Sequence, residues 1–150
     1  MLMDPPARLH LLPPALAEAL DHCNVVQLRR GATRAARLAI EASGLGDPRV
    51  DAALAALLSG RTGDGPARDA LLRLVDELDR AAWAAQEMSG AGGADREGYA
   101  RAFRLARSAN ALWSALDPDP MVAAADGAYE AHAVLGDWES LLELWTPGAR

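Results

Sequence analysis

Lysine is absent from this 150-residue chain, and cysteine, isoleucine and phenylalanine occur once each. Each scarcity excludes something. A lone thiol, Cys23, cannot form an internal disulfide, and with three histidines it leaves too few soft ligands for a structural zinc site. A reducing, cytoplasmic setting is expected, with no metal and no cofactor. Six valines, one isoleucine and three threonines stand against 34 alanines and 23 leucines, so the β-branched residues that suit a pleated sheet are outnumbered by helix formers. The fold class expected is all-α. No apolar run is long enough to span a bilayer, and the N-terminal MLMDPPARLHLLPPA is broken by prolines, so neither a transmembrane helix nor a signal peptide is expected. A net charge of −6 argues against a general nucleic-acid binder, because phosphate contact needs a basic footprint. No glycine-rich loop follows a strand, no nucleophile sits at an elbow and no Cys-x-x-Cys occurs, so an enzyme is not expected.

What is present is helical periodicity in a chain of single-domain length. The longest capped run is Arg68 to Met88. Leu71, Leu74, Val75, Leu78, Ala82 and Ala85 recur there at three- and four-residue spacing, which marks it as the helix around which the others pack. Before it, Leu9, Leu11 and Leu12 suit an arm, residues 1–12, that docks on the body. A first helix follows from Pro14 to about His22. Asn24 caps a second, which runs to Ser43 and stops at Gly44. Asp47 and Pro48 open a third, ending near Gly60. After Met88, Ser89 to Ala94 is expected to end the organising helix in a loop. Three more helices are expected, from about Asp95 to Leu116, from Pro120 to Leu135 and from Trp138 to Trp145, before a fraying tail, residues 146–150. The whole is a compact bundle of six or seven helices.

An internal repeat is also visible. RAARLAIEASGL (Arg34 to Leu45) and RAFRLARSANAL (Arg101 to Leu112) agree at seven of twelve positions, and DPRVDAA (Asp47 to Ala53) agrees with DPMVAAA (Asp119 to Ala125) at five of seven. A structural duplication would give two pseudo-repeated helical hairpins around a central helix.

Three groups of residues could carry function. Trp83 falls on the side of its helix shared with Leu72, Asp76 and Asp79, off the apolar stripe. It either packs against a terminal helix or stands as an aromatic anchor ringed by carboxylates, the make-up of a protein-binding hot spot. The C-terminal segment from Asp117 to Ala149 carries seven acids and no arginine, so Glu139 and Glu143 on the last helix could join such a surface. Trp138 and Trp145 are expected to clamp that helix to the body. Tyr99, Phe103, Asn110 and Trp113 could instead line a small-molecule pocket. Arg30, Arg34 and Arg37 share a helix face that could meet DNA phosphates, although the overall charge opposes it. His22 and Cys23 diverge by about 100° on a helix, and His132 points away from Asp126 and Glu130, so neither neighbourhood offers a metal or acid–base pair.

From Arg29 to Asp64 the chain resembles alanine-rich, all-α bacterial immunity proteins of polymorphic toxin systems. The similarity rests on an arginine-bearing helix (Arg34, Arg37), the turn Asp47-Pro48-Arg49, a short Ala/Leu helix to Gly60, and RAAWAAQE from Arg80. It extends over about Asp21 to Leu135. The second helix lacks the tryptophan and extra histidines that such proteins often carry, so no site residue transfers. The resemblance implies a non-enzymatic protein that binds and neutralises one cognate toxin. One protein partner, no membrane and no nucleic acid are therefore expected.

Overall fold

The computed structural model describes residues 8–92 and 96–146, without the side chains of 89–92. Among these residues the fold is all-α. After a 3-10 turn at Leu9–Leu11 come α1 (Pro14–Asp21), α2 (Val25–Ser43), α3 (Pro48–Leu58), α4 (Pro66–Gly92), α5 (Arg96–Ala115), α6 (Pro120–Leu135) and α7 (Trp138–Trp145). No described helix is long and apolar enough to cross a membrane.

Local chemistry explains most helix ends. The Asn24 side chain accepts from Gln27 N while Gln27 returns the bond to Asn24 N, a reciprocal box that satisfies two first-turn donors of α2. Asp47, Asp119 and Asp137 do the same one-way work for α3, α6 and α7, accepting from Arg49 N, Met121 N and Glu139 N at 2.8, 2.8 and 2.9 Å. Pro48 and Pro120 occupy first-turn positions where no intrahelical amide is lost. Gly44 and Gly136 end α2 and α6 at φ 73° and 71°, a left-handed conformation that costs glycine little.

Packing departs from the sequence expectation at the centre. The hub is α5, which touches α2, α3, α4 and α6, whereas α4 packs mainly on α5 with a lesser contact to α3. The reason is side-chain size. Ala32, Ala35, Ala36 and Ala39 of α2, Ala106, Ala109, Ala111 and Ala115 of α5, and Ala123, Ala124, Ala125, Ala128 and Ala131 of α6 are all buried. Methyl side chains on every contact face let three helices approach each other closely, since interaxial distance follows the side chains between them. Ser108 is fully buried and donates to Ala39 O at 3.0 Å, joining α5 to α2. Leu38 and Ala42 of α2 are exposed, and Ala36 is buried.

Helices α1 and α7 cover the other flank of α2 and α6. Leu12 of the arm is buried there and Leu9 packs on the core, while Leu11 is half exposed. Arm residues 1–7 and tail residues 147–150 lie outside the described residues. The expected end of α4 at Ser89 is not observed, because the helix runs on through Gly92; residues 93–95 again lie outside the described set. The repeated segments begin α3 and α6 alike, with an aspartate cap and a proline, yet they pack differently. Helix α6 lies along α5, whereas α3 turns from α2 to pack on α4 and α5, so the repeat in sequence is not a repeat of hairpins.

Candidate functional site

Trp83, the single tryptophan of α4, is 68% exposed and stands beside the line where α4 meets α5. The helix presents it there because the apolar stripe ending in Leu74, Val75 and Ala82 turns toward α5, leaving the Trp83 side of the cylinder outward. Leu72 and Asp76 share this outer face and are exposed. Facing Trp83 across a cleft of about 160 Å³ are Tyr99, Phe103 and Arg107 of α5, with Asp79 and Gln86 of α4 completing the lining. The Tyr99 and Phe103 rings lie 6.0 Å apart with a 37° tilt, and the Arg107 guanidinium sits 5.6 Å from the Phe103 ring. Two groups that the sequence placed apart, the tryptophan patch and the aromatic pair, therefore form one feature.

The base of this cleft is an ion network. Arg107 Nη2 donates to Asp79 Oδ1 at 2.9 Å and Arg107 Nη1 to Glu130 Oε2 at 3.0 Å. Glu130, 1% exposed, also receives Arg8 from the N-terminal arm, whose guanidinium lies 4.9 Å from the Tyr129 ring. A buried carboxylate needs such partners, since an unpaired charge in the interior costs several kcal/mol. The consequence for Asp79 is that it is a structural ion-pair member, leaving Asp76, two turns from Trp83 on the outer face of α4, as the exposed carboxylate of that face. Nearby Asp126 is pushed above the usual carboxylate range by burial, against the opposing charge of Arg8.

The remaining predicted residues lie elsewhere. Asn110 donates to Ala106 O at 3.3 Å within its own helix, and Trp113 lies beneath the Arg68 guanidinium at 4.1 Å, so neither lines the cleft with Tyr99 and Phe103. Glu139 and Glu143 are exposed on α7, which packs on α1, α2 and α6 rather than beside α4. Arg30, Arg34 and Arg37 are exposed on α2. Arg29 belongs to a different role: it donates to the carbonyls of Ala115, Asp117 and Pro118, closing the C-terminus of α5, where a cation also meets the negative end of the helix dipole. Trp145 and Trp138 do clamp α7. Trp145 is 2% exposed and donates to Leu28 O at 3.3 Å, and Trp138 stacks on His132 at 3.7 Å. Burial lowers the His132 pKa, with Asp137 opposing.

Cys23 donates to Trp145 O at 3.4 Å and His22 bonds to Glu18 O at 2.8 Å, so the adjacent pair diverges. Among the described residues no three histidine, cysteine or carboxylate side chains are grouped to hold a metal ion. Sequence reading missed Arg107 and Arg29 as structural residues. The signal for Arg107 was its place on a helix whose neighbours are nearly all small and apolar, where an arginine needs a partner. Compared with protein-family models, curated proteins and solved structures, the chain matches none.

Proposed function

We propose that this chain is a non-enzymatic protein-binding module that meets one protein partner through the α4–α5 cleft, with Trp83 as the anchor. One observation carries the reading: a tryptophan 68% exposed on a continuous helix and backed by Tyr99 and Phe103. Large exposed aromatic surface in a folded protein marks an interaction site, and tryptophan and tyrosine are the side chains that most often dominate binding energy. In its most concrete form the module is an immunity-type protein that neutralises a cognate toxin. The exposed carboxylate of Asp76, two turns along α4 from the anchor, and the net charge of −6 suit a basic partner surface, such as a cationic active-site cleft.

The test is retention of a partner by the tagged protein from its native cell extract, at low and moderate salt, beside the Trp83→Ala variant. A single stoichiometric partner held by the parent and lost by the variant is the expected result, with the variant's thermal unfolding within about 0.5 kcal/mol of the parent, as for an exposed position. Asp76→Asn is expected to weaken capture mainly at low salt. Retention of the partner by Trp83→Ala removes the cleft from the proposal, and a blank from the parent at both salts removes protein binding altogether.

A further inference from the structure

A second, larger cavity lies away from the Trp83 cleft, between α3 and the first turns of α4. It holds about 930 Å³, at the upper end of the range for small-molecule sites. Its walls are alanines, Ala52, Ala55 and Ala56 from α3 and Ala70 from α4, with Leu116 at the base. Methyl groups on both facing helices are too short to fill the space between them, so the gap remains open and apolar.

Charge enters at one end. Arg68 lines the cavity and is only 7% exposed, its guanidinium carbon 4.1 Å from the centre of the Trp113 ring. A buried guanidinium has five N–H donors to satisfy. Here Nη1 and Nη2 reach Asp64 and Asp117 only at 3.5 Å, the outer limit of a hydrogen bond, and Nε is buried without an acceptor. The Asp64 side chain is 97% exposed, so one of the two carboxylates is held loosely in water. Arg61 stands on the same rim, and α4 opens there from Gly65, which has no side chain with which to cap first-turn amides. The positive end of the α4 dipole therefore faces the same place as the under-satisfied guanidinium.

We propose that this cavity binds a small organic oxyanion, a carboxylate or phosphate ester whose apolar body lies along the alanine walls and whose head group is received by Arg68, Arg61 and the N-terminus of α4. The head group takes over the place on the terminal guanidinium nitrogens that Asp64, 3.5 Å away and 97% exposed, fills poorly. The methyls of Ala52, Ala55, Ala56 and Ala70 and the Leu116 side chain offer an apolar body its contact, beside the polar side chains of Arg49, Thr62 and Asp64 in the same lining. This site is independent of the Trp83 cleft and of the partner proposed for it.

The experiment is amide NMR titration of the full chain with octanoate and phenyl phosphate, with octanamide and inorganic phosphate as controls. Saturable shifts confined to residues 52–70 and Leu116 are expected for the two amphiphilic anions, with octanamide about tenfold weaker or more, as for loss of a charged hydrogen-bond partner. The tighter of the two head groups identifies the ligand class. Arg68→Gln is expected to remove binding. Because Arg68 also holds Asp64 and Asp117, a second variant, Ala55→Trp, fills the cavity from an exposed position with Arg68 intact, and it must block the same probes. Binding unchanged in Ala55→Trp, octanamide equal to octanoate, inorganic phosphate as tight as phenyl phosphate, shifts centred on Trp83 or Arg34, or no saturable shift at all each overturn the proposal.

Discussion

Trp145 and Trp83 are the same side chain put to opposite uses. Trp145, at the end of an eight-residue helix, is 2% exposed and seated against α2, where its indole N–H reaches Leu28 O. Trp83, in the middle of the longest helix, is 68% exposed. The difference lies in what faces each ring. Gly31 of α2 has no side chain, and a Cβ placed there would lie 2.0 Å from Trp145 Nε1, so the absence of a methyl group creates the seat. No such notch meets Trp83, whose neighbours across the cleft are themselves aromatic rings and an arginine already paired to Asp79. A glycine on the opposing helix decides whether a tryptophan locks or presents.

The contrast can be broken most strongly at the seated ring. Trp145→Ala is expected to cost about 3–5 kcal/mol in chemical unfolding, since it removes a large buried side chain and leaves a cavity between α2 and α7. Gly31→Ala attacks the same contact from the other side. Helix propensity alone would reward alanine by about 1 kcal/mol at that position. Displacing a buried indole from its seat is expected to outweigh this, for a net loss of about 1–2 kcal/mol. Stabilisation by Gly31→Ala would show that Trp145 has room to move. In the double variant the two losses should be far from additive, because they report one contact.

A smaller effect comes from pH. Burial holds the folded pKa of His132 below the ordinary value of about 6.5, so the native state binds its proton less readily than the unfolded chain. The stability this represents is present above that pH and is lost as pH falls through the depressed folded value. His132→Phe, which keeps a flat ring against Trp138, is expected to flatten that part of the stability-against-pH curve, as read by thermal melts in buffers on either side of it. Asp137, the carboxylate that faces His132, is held below the usual carboxylate range by the Ser140 hydroxyl and stays ionised through this window. The smallest expected change in stability is at Trp83, where truncation leaves the bundle intact and acts on binding alone.

How much of this was legible in the sequence depended on how far each interaction reaches. The helix starts at Asn24, Asp47, Asp119 and Asp137 are made by side chains two or three residues from the amides they cap, so residue order suffices to find them. The hub was misplaced because length and an unbroken helical period were taken as centrality. Neither says how many neighbours a helix meets, and α4 packs chiefly on α5. The central positions go to α5 and α6, and PMVAAADGAYEAHAVL, apolar nearly all round, carried that signal. The cleft was legible in parts: Trp83 with Asp79 from helical spacing, and Tyr99 with Phe103 as an i, i+4 pair. That the two parts face each other depends on the packing of α4 along α5. The Arg68 cavity had no local sign beyond the glycine-rich RTGDGP before a proline-led helix.

By itself, the amino-acid order determined the all-α class, the capped helix starts and the exposure of at least one face of each helix, because propensity, capping and periodicity act within a few residues. Which helix lies at the centre, which tryptophan is covered and where arginines find partners were decided only by the tertiary structure. The Arg29 bonds to the α5 terminus, the Arg8–Glu130–Arg107–Asp79 chain and the Trp145–Gly31 contact join residues from 23 to 122 positions apart for the hydrogen-bonded pairs. Such contacts depend on close packing of alanine-faced helices, a property of pairs of surfaces that no single segment contains.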